Sequence, residues 1–244
     1  HMLVPHESAT IGGVLLEAAA AFGARPLLVA PPNAARGYDP EGRTITYAQA
    51  AQAVQGLMDR YREAGYGAGH RVALLLENRL EHMLHKLAMN ALGICCVPVN
   101  VDLAVVLQSR QADWQAGAAE AAWQPPAVVF EQFDADLPPA PAPATHWTPG
   151  AGTPASILYT SGTTGRPKGC VLSHRYELAA GAYYATRGGL VDFRPEGERI
   201  YNPLPLFHVN ASILSFYAAL LTGSCQIQTD RFQPTRWWQE VRDT

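Results

Sequence analysis

What this sequence has little of narrows the field first. Charged residues make up only 16% of it, with 18 Lys and Arg against 21 Asp and Glu and a net charge of -3 at pH 7. That balance, with a pI near 6.2, offers no basic footprint for nucleic acid and no polybasic patch for an anionic membrane. The expected partners are therefore small molecules or protein. Cysteine is scarce as well: Cys95, Cys96, Cys170 and Cys225 show neither a CxxC spacing nor the partner set of a zinc site. The adjacent pair Cys95 and Cys96 is awkward for a disulfide and reads as two small apolar core residues. Such usage fits a reducing, cytoplasmic setting. No apolar run approaches the roughly 20 residues that span a bilayer, the nearest being Ile213 to Leu221, and no secretory signal is visible. The opening His1-Met2 reads as a cloning remnant and stands outside the fold reasoning.

What is present is a globular composition, 48% hydrophobic over 244 residues, enough for one large domain or two smaller ones. An Ala-rich helix, "GVLLEAAAAFG", closes on Gly23, where a left-handed cap is expected. A second helix starts at Thr46, with Thr46 and Gln49 at capping-box spacing, and runs toward Gly65. From Arg71 the pattern alternates: a strand to Leu76, a helix over "RLEHMLHKLAMNALG", then the strand-like "ICCVPVN". Strand, helix, strand with short links predicts parallel sheet with crossover helices. A weakly patterned helix over Asp102 to Trp123 and a short strand at Ala127 to Phe130 follow. The proline-rich stretch at 134–155 has no periodicity and reads as an extended connector. Beyond it come a strand at Ala155 to Thr160, a helix from His174 to Arg187, a strand near Arg199 to Asn202, a helix over Ala211 to Leu221, the strand "CQIQT" and a last helix over Thr235 to Val241. No internal repeat is present. The expected fold is α/β in two linked sheet-and-helix lobes, 3–133 and 156–244.

Between the strand at Thr160 and the next helix lies "TSGTTGRPKG". It offers backbone N-H groups unshielded by large side chains, glycines free to take positive φ, several hydroxyls and one ammonium. Those are the parts of an anion nest, and a polyphosphate is the ligand that needs all of them. It is not the P-loop GxxxxGK[ST]: Pro167 stands where glycine should precede the lysine, and Gly169 replaces the magnesium-binding hydroxyl. Nor is "GYGAG" at Gly65 to Gly69 a GxGxxG element; it suits a helix-to-strand turn. A flexible linker is the alternative reading, but a linker needs neither Pro-Lys-Gly at its end nor apolar strands at both flanks.

"YTSGTTGRPKG", complete over Tyr159 to Gly169, resembles the phosphate-binding signature of the adenylate-forming superfamily of acyl-CoA synthetases, luciferases and peptide-synthetase adenylation domains. "TYAQA" near Thr46, "AMNALGICCVPVN" ending at Asn100, and "PLPLFHVNA" after the loop match further elements in the right order. The resemblance covers nearly the whole chain, which would form most of the large N-terminal domain of such an enzyme. It implies a two-step reaction in which a carboxylate attacks the α-phosphate of ATP and the acyl-adenylate is passed to a thiol, usually of coenzyme A. Thr160, Ser161, Gly162, Thr163, Thr164 and Gly165 would hold the β and γ phosphates, with Lys168 neutralising their charge. ATP, magnesium as its counter-ion and coenzyme A are the implied small molecules. A homo-oligomer is left open.

Within that family, amino-acid-activating members place an aspartate in the element occupied here by "PLFHVNA", because a buried ammonium needs a counter-charge. This chain has His208 and no acid nearby, which disfavours an α-amino acid. Phe207 and His208 resemble the acyl-CoA synthetase pattern at the meeting point of carboxylate and phosphate; a hydrogen-bonded core histidine is the bland alternative. Asn210 and Ser212 could line the acyl pocket, or simply bond the backbone at a helix start. Cys170, Tyr183 and Tyr184 read as packing. His82 and His85, three apart on a helix, lack a third ligand, so no metal site is assigned. The family's adenine-binding and ribose-binding motifs, its hinge and its C-terminal lysine are not in the sequence. The expectation is an N-terminal portion of a roughly double-length ligase, inactive in isolation. A short non-catalytic phosphate-binding module is the alternative.

Overall fold

In a computed structural model of the chain, residues 2–74, 76–98, 137, 139–143, 146–160 and 168–244 are described. Helix α1 (Ile11–Phe22) begins on Thr10, whose hydroxyl accepts from the Gly13 amide. Gly23 does not take the expected left-handed conformation; it is right-handed, at φ -36° and ψ -47°. Its missing side chain serves packing instead, since a Cβ there would stand 2.9 Å from the Ala19 carbonyl oxygen. Two strands with no counterpart in the sequence reading follow, β1 (Pro26–Ala30) and β2 (Arg43–Thr46), paired antiparallel. Helix α2 (Tyr47–Glu63) carries the full reciprocal capping box of Thr46 and Gln49. Strand β3 (Arg71–Leu74), helix α3 (Leu80–Ala91) and strand β4 (Cys95–Pro98) reproduce the expected alternation. The helix expected over Asp102 to Trp123 and the strand at Ala127 to Phe130 lie outside the described residues.

The chain continues with β5 (Pro154–Thr160), β6 (Lys168–Ser173), α4 (His174–Ala185) and β7 (Arg199–Asn202). A π-helix (Asn210–Ser215) runs straight into α5 (Phe216–Thr222), and β8 (Cys225–Gln228) and α6 (Trp237–Asp243) complete the order. One sheet has the order β2-β1-β8-β7 and the other β3-β4-β5-β6. Within them β1 runs parallel to β8, β8 to β7, β3 to β4 and β4 to β5, while β6 turns back antiparallel on β5. Each sheet thus takes strands from both sides of the proline-rich stretch. The two sheets therefore interleave across the blocks 3–133 and 156–244: β4 and β5 are neighbours in one sheet although 134–155 lies between them in sequence.

Helix α3 is buried from Leu80 to Asn90 and α5 along its whole length. A helix enclosed on every side belongs between layers, and α3 indeed packs on β4 of one sheet and β1 of the other. That position explains an unusual group. Lys86 of α3 and Glu177 of α4 form an ion pair with both side chains fully buried. The ammonium also donates to Asn90 Oδ1 at 3.3 Å and to the Tyr217 hydroxyl at 3.1 Å. Ser156 Oγ of β5 donates to the other carboxylate oxygen of Glu177, and Asn90 Nδ2 donates to the Ala155 carbonyl at 2.7 Å. Every proton of the ammonium therefore has an acceptor.

A buried pair is often replaceable by well-packed apolar side chains, whereas loss of one partner strands a charge at a cost of about 3–5 kcal/mol. We expect Lys86→Met alone and Glu177→Leu alone each to lower unfolding free energy in urea by roughly that amount, and the double variant to recover most of the loss. Additive losses in the double variant would show that the two groups do not act as a pair.

Candidate active site

The first part of the site is the turn between β5 and β6. Thr160 and Lys168 are cross-strand partners at the ends of the two strands, and the Thr160 hydroxyl reaches the Lys168 carbonyl at 3.5 Å. Directly opposed residues of an antiparallel pair lie about 4.5–5.5 Å apart, so the two strand ends that flank 161–167 stand side by side. Ser161, Gly162, Thr163, Thr164 and Gly165 themselves lie outside the described residues. Gly169 is demanded by packing: a Cβ would stand 2.8 Å from Ile157 Cγ2 and 3.4 Å from the Tyr159 ring. Tyr159 lies across the ladder from it and is 60% exposed. Lys168 is exposed, and among the described residues no carboxylate pairs with it. Its ammonium is thus open to an anion at the mouth of the turn.

The second part follows β7. Phe207 is half-buried, His208 is exposed, and Asn210 opens the π-helix. Ser212 and Ser215 explain why the helix starts wide. Ser212 Oγ donates back to the His208 carbonyl at 3.0 Å, and Ser215 Oγ lies 2.9 Å from the carbonyl of Asn210, five residues earlier. Hydroxyl back-bonding of this sort distorts the ordinary ladder, and single-turn π segments tend to sit beside functional groups. For Ser212 the backbone-bonding reading therefore holds. The Asn210 amide lies 3.4 Å from His208 Nδ1, which orients the ring.

The structure thus brings Thr160 and Lys168 together, and separately Phe207, His208 and Asn210. The two groups are joined through α4, which continues from β6 and packs against the π-helix. Other sequence candidates fall away. Cys170 and Tyr183 are exposed rather than packed. His82 is buried, and neither ring nitrogen has a side-chain partner among the described residues. Burial, and then the charge of Lys86, push its pKa down to about 3. His85 meets the Tyr61 hydroxyl at 2.8 Å and is pushed down to about 4, chiefly by burial. Both are neutral core residues. Among the described residues no three His, Cys, Asp or Glu side chains gather as a metal site, and no helix is long and apolar enough to cross a membrane.

Compared with protein families, residues 15–244 match the model described as AMP-binding enzyme. The chain belongs to that family. Among its AMP-binding relatives, the sulfoacetate–CoA ligase of Cupriavidus necator is 28% identical over 95% of this chain and 47% of its own length. The long-chain-fatty-acid–CoA ligase FadD13 of Mycobacterium tuberculosis is 30% identical over 81% of this chain and 42% of its own. The chain spans less than half the length of these relatives. The crystal structure of the N-terminal domain of FACL13 from Mycobacterium tuberculosis superposes with a TM-score of 0.71, at 25% identity, over 96% of this chain and 60% of that one. Apo MatB from Rhodopseudomonas palustris gives 0.69 at 22% identity over 97% of this chain and 48% of its own, a likeness of fold. The mixed α/β architecture is thus that of the N-terminal domains of adenylate-forming enzymes.

A charge-assisted contact between an ammonium and a phosphate contributes about 1.5–3 kcal/mol. Lys168→Ala should therefore weaken pyrophosphate binding by the chain roughly 10- to 100-fold in calorimetry. Unchanged affinity would remove Lys168 from the phosphate site.

Proposed function

We propose that the complete protein is an AMP-forming acid–thiol ligase that activates a carboxylic acid as an acyl-adenylate and transfers the acyl group to coenzyme A. The family match over 15–244 and CoA ligases among the relatives support the reaction class. The observation that carries it to this chain's own residues is the cross-strand pairing of Thr160 with Lys168, which puts a lysine with no carboxylate partner among the described residues at the end of a sequence segment rich in glycine and hydroxyls.

In this reading the amides and hydroxyls of Thr160 to Gly165 receive the β and γ phosphates of ATP, and Lys168 offsets the negative charge that grows on pyrophosphate as it leaves. Donors held in place before the reaction need no reorganisation as charge develops, which is where their rate effect comes from. Phe207 and His208 border the point where the carboxylate oxygen meets the α-phosphorus, and Asn210 stands at the substrate side. No acidic side chain occurs from Pro203 to Ser215, so an α-ammonium would find no counter-charge there. Magnesium would arrive with the nucleotide, since the described residues offer no cage for it.

The acid-dependent release of pyrophosphate from ATP by the complete protein tests this directly. A panel running from short anionic acids to long-chain fatty acids, with acyl-CoA formation followed on adding coenzyme A, should identify at least one acid that is turned over. The 244-residue chain alone should bind ATP or pyrophosphate weakly and release none. No acid-dependent pyrophosphate from the complete protein, or robust turnover by the isolated chain, would overturn the proposal.

A further inference from the structure

Strand β8 breaks the rule for its place in the sheet. It lies between β1 and β7, parallel to both, and such interior strands read as runs of Val, Ile and Leu because both faces are covered. Here the sequence is Cys225-Gln226-Ile227-Gln228, with Gln226 0% and Gln228 1% exposed. Alternation puts the two amides on one face. Burying a primary amide is unfavourable unless each of its polar atoms is bonded, and a core strand that defies the local rule points to a functional constraint.

The partners of these amides converge on one segment. Gln226 Nε2 donates to the Ala211 carbonyl at 3.1 Å and to Gln228 Oε1 at 3.0 Å, and Gln226 Oε1 shares the single Ser215 hydroxyl proton with the Asn210 carbonyl, each oxygen 2.9 Å from Ser215 Oγ. Gln228 Nε2 donates to the Leu204 carbonyl at 2.9 Å and to the Thr229 carbonyl at 3.2 Å. Two asparagines complete the arrangement from other elements. Asn202 Oδ1 accepts from the Leu204 amide at 2.9 Å while its Nδ2 donates to Ser215 Oγ at 2.6 Å. Asn78, after β3 of the other sheet, accepts from the Leu206 amide at 2.9 Å and donates to the Leu204 carbonyl at 3.3 Å. The remaining turn is closed internally, His208 N to the Pro205 carbonyl at 3.0 Å and Ser212 N to the His208 carbonyl at 3.2 Å. A loop outside any regular ladder ordinarily leaves its backbone to water. This one is tied at both ends by buried or half-buried side-chain amides, while His208 and Leu204 are exposed.

We infer that Gln226 and Gln228, with Asn202 and Asn78, are positioning residues that hold 203–211 rigid and so preset Phe207 and His208 for the adenylation step, where carboxylate meets α-phosphate. The inference rests on the reading of Phe207 and His208 given above. Buried amides recognise carbonyl oxygens by direction, whereas the aliphatic side chains usual at such positions would leave the segment free to slide.

Amide hydrogen exchange on the 244-residue chain tests the rigidity without any catalysis. In the wild type the His208 and Ser212 amides should exchange at rates near those of β8 despite the exposure of His208. Gln226→Met keeps the volume and removes the bonds; it should speed exchange of those two amides at least about tenfold. Thr222→Val, which removes an equally buried hydroxyl at the far end of α5, should leave them unchanged. Free exchange of His208 and Ser212 in the wild type, or equal responses to both substitutions, would overturn the inference. If Gln226→Met fails to fold, the wild-type rates and Gln228→Met decide. In the complete protein, Gln226→Met should lower kcat for acid-dependent pyrophosphate release about tenfold with KM for ATP unchanged. An unchanged kcat would contradict the positioning role. A wild-type protein that activates no acid would instead remove the proposed function, while the exchange rates would still judge the rigidity.

Discussion

An ammonium and a carboxylate, both closed off from bulk solvent, hold the centre of this molecule. Lys86 and Glu177 sit where α3, α4, α5 and β5 converge, and the pair is tolerable there only because Asn90, Tyr217 and Ser156 complete its hydrogen bonds. Its placement has a consequence for the turn at 161–167. Strand β5, which leads into the turn, is bonded through Ser156 and the Ala155 carbonyl. Helix α4, reached from the turn through β6, contributes Glu177. Both stems are thereby fastened to the same buried helix, which fixes the two ends, Thr160 and Lys168, between which 161–167 runs.

A fixed frame is what charge development in phosphoryl and adenylyl transfer calls for, because donors that must first be reorganised lose their advantage over water. The second half of the site follows the same logic with neutral groups. Exposed His208 is carried on a segment whose carbonyls and amides are taken up by Asn78, Asn202, Gln226 and Gln228. Loops place chemistry well when a scaffold over-determines them. Charge in one place and amide geometry in the other achieve it by different means.

Much of the fold could be read from local chemistry. The capping box at Thr46 and Gln49, the alternation from Arg71 to Pro98, and the loop composition after Thr160 each have a short-range cause, and the structure carries the first two as expected. What escaped depends on distant partners. Strands β1 and β2 are short and gain their meaning from β8, nearly 200 residues along. Strand β6 was hidden because "KGCVLS" has mostly exposed side chains and draws its order from pairing with β5. The interleaving of the two sheets could not be seen because nothing local says which strands become neighbours. Lys86 looks like the polar side of a surface helix until both sheets close over it. The alternating glutamines of β8 were the available signal for the positioning network, since polar residues at period two in an apolar setting ask where their amides are bonded.

The central claim is that the segment from Thr160 to Lys168 grips a polyphosphate. A nitrogen-15 amide titration of the chain with inorganic pyrophosphate addresses it most directly, because it reports on each residue of the turn. The account predicts saturable shifts concentrated on the amides of 160–169, with β7 and β8 unmoved. Shifts scattered over the surface, or none within that segment at saturating pyrophosphate, would contradict it.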